Sequence, residues 1–409
     1  MRITAALFAH AETATARLLA LAGPADQALS AYFRRHRNLG QRDRAFVAEA
    51  AYAVLRRRRS LETAAGSAAP HDLLVAALLR VFGLSGRAFD ADAALVARIK
   101  SAAGERFAPA VRADLPDWLW ERLAAEHGAA EAMRIARGLL DAAPLDLRVN
   151  LAKLSREEAL SRMDAAAQPT PWSPAGIRLK DKPPINRHPL FLDGAIEVQD
   201  EGSQLIAYLV APRRGEMVAD FCAGAGGKTL ALAMLMRGAG RLYAMDVSAR
   251  RLAALAPRSA RAGVSNVHPL ALAGENDIRA KRLAGKLDRV LVDAPCSGFG
   301  TLRRNPDLKW RYGPERVAAL AAEQYRILAA ASRLVKPGGR LIYATCSILE
   351  EENERVVERF AQEVSGFAAM SCAEILAQQK IPLQTGNYLR LWPHLHGTDG
   401  FFAAAFARL

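Results

Sequence analysis

The spacing of apolar positions divides the chain into a helical first part and a mixed αβ second part. Through residues 1–110, Ala and Leu recur three or four positions apart, Gly and Pro are few, and β-branched runs are absent. This spacing predicts a bundle of amphipathic helices. The stretch AFVAEAAYAVL, residues 45–55, shows the apolar stripe, and a run of arginines follows where the helix would end.

Strand patterns begin in the middle of the chain. In residues 141–190, LDLRVNLAKLS alternates as a strand does, and prolines gather in a linker-like stretch. From about residue 195, short apolar strands alternate with helices, which is typical of a doubly wound parallel sheet. We therefore predict an α/β protein with a helical domain at 1–112, a small α+β subdomain at 113–190 and an α/β domain at 191–409.

Composition excludes several classes of protein. The chain has 409 residues, of which 51% are hydrophobic and 24% charged, a globular balance rather than a disordered one. No apolar stretch reaches the roughly 18–20 residues that cross a bilayer, and the amino terminus lacks the apolar core of a secretion signal. Four cysteines with no CxxC pair or HExxH helix argue against a disulfide framework or a zinc site. We expect a soluble, cytoplasmic protein without a metal, by default a monomer.

The net charge is strongly positive. Lys and Arg outnumber Asp and Glu by 56 to 42, which gives +14. Coding bias explains part of this excess, because the chain is rich in both Ala and Arg. The arginines nevertheless cluster, within residues 34–44, in the run 56–59, and around Trp310. Charge runs are usually solvated faces, but together with the chemistry below these clusters favour a nucleic-acid partner.

A glycine-rich turn follows the first strand of the α/β domain. Residues 217–221 form an apolar strand, CAGAGGKT follows at 222–229, and a helical pattern comes next. A phosphate-binding P-loop needs Gly where Cys222 stands, and a dinucleotide fingerprint needs Gly where Thr229 stands. S-adenosylmethionine remains, because its methionine part approaches such a turn without a pyrophosphate.

An acidic residue follows the second strand. Asp246 ends the strand at residues 241–245 and is placed to accept both ribose hydroxyls of a nucleoside cofactor. It could equally cap the helix that starts near Ser248. The glycine turn and Asp246 together leave oxidoreductase and methyltransferase open.

Two cysteines follow neighbouring strands. Cys296 lies in Asp-Ala-Pro-Cys-Ser-Gly after a strand at 288–292, and Cys346 lies in Thr-Cys-Ser after a strand at 340–344. Ligands of open α/β sheets bind outside the carboxyl ends of the strands, so both thiols should face the pocket beside the glycine turn. A lone Cys is usually a small buried hydrophobe, and we interpret Cys222 and Cys372 in that way.

Paired thiols suit one reaction in particular. The C5 carbon of cytosine is too electron-poor to take a methyl group from a sulfonium directly. Addition of a thiolate at C6 turns C5 into an enamine carbon that can attack the methyl group. A base then removes the C5 proton, and the thiolate leaves. Asp293 could hold N3 or N4 of the base, and the second thiol could assist resolution of the adduct.

At these residues the sequence resembles the Nol/Nop/Sun (Fmu-like) family of RNA cytosine-5 methyltransferases, of the bacterial 16S rRNA type with a NusB-like amino-terminal domain. The motifs that carry the resemblance are VQDEGS, the glycine turn, DAPCSG, RRNPDLKWR, YATCS and DGFF in residues 198–402, and more weakly the stretch 37–62. The resemblance implies a class I S-adenosylmethionine-dependent methyltransferase fold, Rossmann-like, with an antiparallel edge strand. It also implies a NusB-like RNA-binding domain and a small RNA-contacting subdomain.

The resemblance also implies roles for individual residues. Cys346 matches the nucleophile and Cys296 the cysteine that promotes product release, with Asp293 beside them. The residues matching the family's S-adenosyl-L-methionine contacts are Cys222, Ala223, Gly224, Ala225, Gly226, Gly227, Lys228, Asp246, Arg251 and Asp293. The family usually has Ala-Pro at Gly224-Ala225, a change the backbone should tolerate. After the third strand it has Gly-Asp, so the adenine contact here is Asn276 or Asp277.

The target cytidine must be unpaired or flipped out of its stack to be reached. We predict that the basic cluster after the Pro-Cys turn grips neighbouring nucleotides, through Arg303, Arg304, Lys309, Trp310 and Arg311. The leading hypothesis is formation of 5-methylcytosine in ribosomal RNA. The alternatives are the same reaction on tRNA or DNA, an inactive RNA-binding assembly factor, and a nicotinamide oxidoreductase.

Overall fold

The computed structural model describes residues 3–409, which form two compact units. The helical unit contains the chain up to Ala142 together with residues 301–314, and the sheet unit contains residues 143–300 and 315–409. Met1 and Arg2, the first residues of the predicted helical domain, lie outside the described residues.

The helical unit is built from amphipathic helices, as the spacing of Ala and Leu predicts. In α3, for example, the buried side chains include Val47, Ala50, Ala51 and Val54, which recur three or four positions apart. Its first nine helices are α1 (Ala5–Leu19), α2 (Ala25–Arg35), α3 (Gln41–Arg56), α4 (Arg58–Ala65), α5 (Pro70–Arg80), α6 (Ala93–Ser101), α7 (Pro109–Arg112), α8 (Asp117–His127) and α9 (Ala129–Leu140).

A small antiparallel sheet opens the sheet unit. Its strands and helices are β1 (Leu145–Val149), α10 (Arg156–Ser161), β2 (Ala167–Pro169), β3 (Gly176–Leu179), α11 (Pro189–Leu192) and β4 (Ile196–Val198). The strand order is β2-β3-β1-β4, and β1 pairs antiparallel with both β3 and β4. Leu147, Ile177 and Ile196 form part of its core.

A larger sheet forms the rest of the unit, and its order among the described residues is β10-β12-β9-β8-β5-β6-β7, with β11 paired to β12. The strands are β5 (Met217–Asp220), β6 (Arg241–Asp246), β7 (Val267–Ala271), β8 (Leu287–Asp293), β9 (Val335–Thr345), β10 (Phe367–Met370), β11 (Leu389–Leu391) and β12 (Phe401–Arg408). The helices are α12 (Glu201–Val210), α13 (Gly227–Leu235), α14 (Ala249–Ala253), α15 (Leu255–Ala262), α16 (Ile278–Lys281), α18 (Pro314–Ser332), α19 (Glu354–Glu363), α20 (Cys372–Gln378) and α21 (Pro393–His396), whereas α17 (Leu308–Arg311) belongs to the helical unit.

The direction of these strands determines where a site can form. Neighbouring strands from β9 through β8, β5 and β6 to β7 pair in parallel, so their carboxyl ends lie along one edge. Strand β12 pairs antiparallel with β9, and β10 and β11 pair with β12 in turn. The predicted fold class, a doubly wound sheet with antiparallel strands at one edge, is confirmed.

The two units divide the chain differently from the three predicted domains. The small sheet belongs to the sheet unit, and its last strand, β4, lies beyond the predicted boundary at residue 190. The chain leaves the sheet unit after Gly300, and residues 301–314 pack within the helical unit. The three-domain division stays a prediction. No helix within residues 3–409 is both long and apolar enough to span a bilayer.

Candidate active site

The glycine-rich turn joins β5 to α13. Gly224 and Gly226 have φ values of 56° and 87°, in the left-handed region that favours glycine. A Cβ atom on Gly226 would stand 2.2 Å from Cδ1 of the buried Leu255. The backbone therefore needs glycine at position 226 both for its conformation and for its packing.

Asp246, at the end of β6, holds this turn in place. Its Oδ2 accepts a hydrogen bond from Gly224 N–H at 2.8 Å, and its Oδ1 accepts one from Ser248 N–H at 2.7 Å. The N-cap of α14 is Ser248 rather than Asp246. Each carboxylate oxygen can accept a second hydrogen bond, so the carboxylate retains capacity for ribose hydroxyls. Arg251, with 62% of its side chain exposed, lies 3.8 Å from Oδ2.

Two arginines that the sequence analysis did not single out bind carbonyl groups of the same turn. Buried Arg148, on β1, donates to Gly227 O at 2.9 Å, and Arg258 donates to Ala225 O at 2.5 Å. Glu197, on β4, pairs with both Arg258 and Arg261. Burial lowers the pKa of Arg148 to about 10, so it remains a cation near neutral pH. The small sheet therefore supports the glycine turn through contacts that local sequence does not reveal.

Cys296 and Cys346 lie together at the carboxyl ends of β8 and β9. Their Sγ atoms are 3.4 Å apart, and both residues are partly exposed. The hydrogen bond to Cys346 and then burial raise the pKa of Cys296 well above its ordinary value. Cys296 therefore keeps its proton and can donate it toward the sulfur of Cys346.

A lysine–aspartate pair lies beside the thiols. Nζ of Lys228 is 2.8 Å from Oδ2 of Asp293 and 5.3 Å from the ring centroid of Phe401. Burial opposes the charge of Lys228, but the charge and hydrogen bond of Asp293 outweigh it and raise its pKa, and Cys346 contributes in the same direction. Lys228 is thus a permanent cation whose field acts on the Cys346 sulfur.

The other two cysteines are placed differently. Burial raises the pKa of Cys222, and the charge of Asp220 raises it further, so this thiol stays neutral within the glycine turn. Cys372 is fully buried in the core of the sheet unit, where burial raises its pKa to about 11. Cys372 therefore has the structural environment predicted for it.

The loop after β7 does not single out an adenine contact. Asp277 accepts hydrogen bonds from Ala273 N–H at 2.7 Å and from Arg279, whose side chain and N–H hold its pKa below the ordinary value. Its side chain thus caps the start of α16. Asn276 is exposed. The assignment of either residue to adenine stays a prediction.

The cluster predicted to grip RNA is packed within the helical unit. Lys309 is 2% exposed, and its Nζ donates to Arg56 O at 2.8 Å and Asp114 O at 2.6 Å. Trp310 donates from its indole to Leu55 O at 2.8 Å and packs on the helical core. These contacts account for both residues without RNA.

The three arginines of that cluster also have structural surroundings. Arg303 is buried, and its carbonyl accepts a hydrogen bond from Arg56 at 3.1 Å. Arg311 pairs with Asp307 at 3.1 Å, and Arg304 is partly exposed. Their role in RNA binding stays a prediction.

A basic pocket that the sequence analysis missed lies elsewhere in the helical unit. Its volume is about 570 Å³. It is lined by Arg57, Ser60, Leu61, Arg80, Val81, Gly104, Glu105, Phe107, Arg112, Asp114 and Arg137. Burial lowers the pKa of nearby Lys309 to about 7, and although Asp114 opposes this, Arg56 and Arg57 lower it further. Four arginines line the pocket against two acidic residues, and no single sequence run brings these arginines together.

The doubly wound parallel sheet, with a glycine turn after one strand and an acidic residue after the next, has the Rossmann-like fold of class I methyltransferases. Residues 207–407 match the family model described as 16S rRNA methyltransferase RsmB/F, and residues 115–186 match the ferredoxin-like domain of RsmF/B-like methyltransferases. The chain belongs to the RsmB/F methyltransferase family. The family uses S-adenosyl-L-methionine, which confirms the predicted cofactor.

Individual relatives agree with this membership. The probable ribosomal RNA small subunit methyltransferase B of Synechocystis is 36% identical over 71% of this chain and 66% of its own length. A methyltransferase homolog protein from Pyrococcus horikoshii is 30% identical, with a TM-score of 0.64 over 74% of this chain and 98% of that one. The crystal structure of PH0851 is 25% identical, with a TM-score of 0.80 over 100% of both chains. The chain spans 65–66% of the length of the curated relatives it matches.

Among the described residues, no group of three His, Cys, Asp or Glu side chains has the arrangement of a metal site. His394 and His396, near the carboxyl terminus, lie in α21. The ring of His396 accepts a hydrogen bond from Trp392 N–H at 3.0 Å and thus supports the local turn.

Proposed function

We propose that this protein forms 5-methylcytosine in RNA, through a covalent bond between Cys346 and C6 of the cytosine, and that its substrate is small-subunit ribosomal RNA. The observation that carries the proposal is the 3.4 Å separation of the two sulfurs at the ends of adjacent parallel strands. The names of the relatives support the ribosomal substrate, since they denote ribosomal RNA small subunit methyltransferases.

The residues at the glycine turn fit the cofactor. Gly226 has a left-handed backbone with no room for a Cβ atom, and the buried carboxylate of Asp246 retains lone pairs for hydroxyl donors. S-adenosyl-L-methionine supplies an electrophilic methyl group when it is bound. Arg148 and Arg258 hold the carbonyl groups of residues 227 and 225, which keeps the turn in one conformation.

The site can generate the nucleophile. The charge of Lys228 interacts with Cys346, and the protonated thiol of Cys296 lies within hydrogen-bonding distance of the Cys346 sulfur. The Cys346 thiolate adds to C6 of the cytosine, and the electron pair of the C5–C6 double bond shifts toward C5. Asp293 lies beside Lys228, where its carboxylate can accept a hydrogen bond from the exocyclic amino group of the base.

The second thiol is suited to resolve the adduct. The main cause of the raised pKa of Cys296 is its hydrogen bond to Cys346. Once Cys346 is bonded to carbon, its sulfur is uncharged and a weaker acceptor, so Cys296 can lose its proton to solvent. The Cys296 thiolate then takes the C5 proton of the methylated base, the C5–C6 double bond forms again, and the Cys346 thiolate leaves.

Single substitutions of the thiols test this assignment. We expect Cys346→Ala to lose methyl transfer and form no adduct. We expect Cys296→Ala to accumulate a protein–RNA adduct that survives a denaturing gel. The measurements are transfer of a radiolabelled methyl group to small-subunit ribosomal RNA, free and in subunit particles, and bisulfite sequencing of the product. Cys372→Ala is the matched control, because its thiol is fully buried and is not part of the sulfur pair.

The opposite pattern would overturn the roles. An adduct in Cys346→Ala and none in Cys296→Ala would exchange nucleophile and resolving thiol. Methyl transfer to tRNA but not to ribosomal RNA would reject the substrate while keeping the chemistry.

A further inference from the structure

One buried carboxylate joins the turns that carry the two thiols. Glu352 is 0% exposed and lies in a short helical turn after β9. Its Oε1 accepts hydrogen bonds from Ser297 N–H at 2.7 Å and from Gln324 Nε2 at 3.0 Å. Its Oε2 accepts from the hydroxyl groups of Ser297 and Ser347. Each serine directly follows a cysteine of the pair, so one side chain connects both turns.

Further hydrogen bonds extend this connection. Gln324, on α18, also donates to Pro295 O at 2.9 Å, directly before Cys296. The hydroxyl of Tyr343 donates to the carbonyl of Glu352 and lies 3.1 Å from Oε1 of Gln324. On the side of Cys346, Thr345 donates to Asn353 Oδ1. The sulfurs thus approach each other from turns whose backbone is fixed to one buried network.

The carboxylate of Glu352 has no cationic partner within 4 Å among the described residues. A buried polar group is costly unless it is hydrogen-bonded, and here four neutral donors satisfy the two oxygens of Glu352. Because each oxygen already has two donors and the side chain is inaccessible, Glu352 cannot contact a substrate. Its contacts are suited to holding the turns.

We propose that Glu352 is a positioning residue that sets the separation of the Cys296 and Cys346 sulfurs, and that this separation controls release of the RNA adduct. The control of adduct release rests on the proposed function. A resolving thiol acts on one carbon of the adduct, and a displacement of about 1 Å costs on the order of a hundredfold in rate in such geometries. The effect of Glu352 on the separation of the two sulfur atoms can be tested without RNA.

Oxidation measures the separation of the thiols directly. An azodicarboxamide such as diamide takes two electrons and two protons from a thiol pair, forming a disulfide and a hydrazine. We expect Glu352→Asp, whose carboxylate is one methylene shorter and cannot reach both turns, to slow Cys296–Cys346 disulfide formation at least tenfold. Glu352→Gln keeps the length and one acceptor oxygen, and should remain within about threefold of the wild type. Peptide mapping by mass spectrometry identifies the bond.

The same variants are then compared with RNA. We expect Glu352→Asp to accumulate the denaturation-resistant adduct and to turn over at least tenfold more slowly than the wild type. Its affinity for S-adenosyl-L-methionine should be unchanged. Glu352→Gln should restore most of the turnover.

The matched control is Glu363→Gln, which removes a carboxylate that pairs with Arg359 on the exposed face of α19. If Glu352→Asp does not fold, Ser347→Ala removes one tie to the Cys346 turn and should slow oxidation severalfold.

The outcomes separate the two proposals. Disulfide formation at the wild-type rate in Glu352→Asp and Ser347→Ala would overturn the positioning role, whatever the RNA assays show. Slow oxidation with normal release of the adduct would overturn the link between separation and turnover. A wild-type protein that methylates no RNA would refute the proposed function, while the oxidation rates would still decide whether Glu352 positions the thiols.

Discussion

At the scale of single residues, Asp220 shows how the site depends on buried charge. It ends β5 beneath the glycine turn, where its Oδ2 accepts a hydrogen bond from Thr229 at 2.7 Å. Burial raises its pKa to about 7, and the charges of Asp293 and Asp246 act in the same direction against the hydrogen bond from Thr229. The carboxylic acid is therefore protonated in the folded protein at mildly acidic pH.

This shift makes stability depend on pH. The unfolded Asp220 ionises near pH 4, whereas the folded one keeps its proton to about pH 7, so its contribution lowers the free energy of unfolding as pH rises between these values. Asp220→Asn cannot ionise and keeps an acceptor for Thr229. Relative to the wild type, we expect the variant to gain up to about 4 kcal/mol between pH 4 and pH 8. Urea unfolding without cofactor, at a series of pH values, measures the difference.

A second aspartate gives a control of opposite sign. Partial burial opposes ionisation of Asp288, but hydrogen bonds from Lys336 and Met217 N–H outweigh it and lower its pKa. Its ionised form stabilises the fold above its unfolded pKa, and this stability is lost as pH falls. Asp288→Asn should therefore lose stability relative to the wild type as pH rises from acid to neutral. Parallel pH curves for the wild type and Asp220→Asn would contradict the shifted pKa of Asp220.

At the scale of elements, local pattern and long-range pairing contribute unequally. Apolar runs predict β5, β6 and β8 within a residue or two of their bounds. They predict β9 only from residue 340, whereas the strand begins at Val335. The stretch KPGG has the composition of a turn, yet Val335 pairs with Leu287 across a register shift that accommodates it. A neighbouring strand thus determines the start of β9.

The glycine turn gives the prediction at this scale. Gly226→Ala places a Cβ 2.2 Å from Cδ1 of buried Leu255, at a φ of 87°, and should cost about 2–3 kcal/mol of stability. Gly224→Ala meets Arg251, an exposed and flexible side chain, and should cost only about 1 kcal/mol. We also expect Gly226→Ala to weaken binding of S-adenosyl-L-methionine more than Gly224→Ala. Urea unfolding and calorimetric titration compare the pair, and equal losses would contradict the packing argument.

At the scale of the whole molecule, the distribution of charge matters more than its total. The net charge of +14 is spread over both units, and some arginines form structural pairs in which a carboxylate cancels their charge. The basic pocket of the helical unit is different, because four of its lining side chains are arginines and only Glu105 and Asp114 are acidic. Asp114 is itself buried, with its carboxylate accepting hydrogen bonds from Ser60. The pocket is therefore suited to phosphate groups of the proposed RNA substrate.

Salt dependence tests this surface. Each phosphate contact with single-stranded RNA contributes about 0.7 to the slope of log affinity against log salt. We expect the double variant Arg112→Ala/Arg137→Ala to bind RNA more weakly. The slope of its log affinity against log salt should be reduced by about 1 to 1.5. The control is Arg87→Ala/Arg282→Ala, which removes the same charge from exposed positions outside the pocket. Equal changes of slope in the two double variants would show that the pocket has no special role.

Local sequence patterns establish the class of fold and the strands that end at the glycine turn and at the two cysteines. An apolar strand, a glycine turn and a helix are contiguous, and so are each cysteine and the strand before it, so their placement at the sheet edge follows from local pattern and the geometry of parallel strands. This is why the glycine turn, Asp246, Asp293 and the two thiols could be predicted. The resemblance to a known family added the roles of the two cysteines, which remain predictions.

The side chains that support this site come together only when the chain folds. Glu352 meets Ser297 from 55 positions away, and Arg148 meets Gly227 from 79 positions away. Lys309 likewise meets Asp114 from 195 positions away, although its sequence neighbours suggested an RNA contact. Hydrogen bonds across such separations depend on how elements pack, and a buried Glu, Arg or Lys has no local pattern that distinguishes it from an exposed one. Periodicity and motif spacing contain information only about residues that are close in sequence. These distant partners can therefore be identified only from the folded structure.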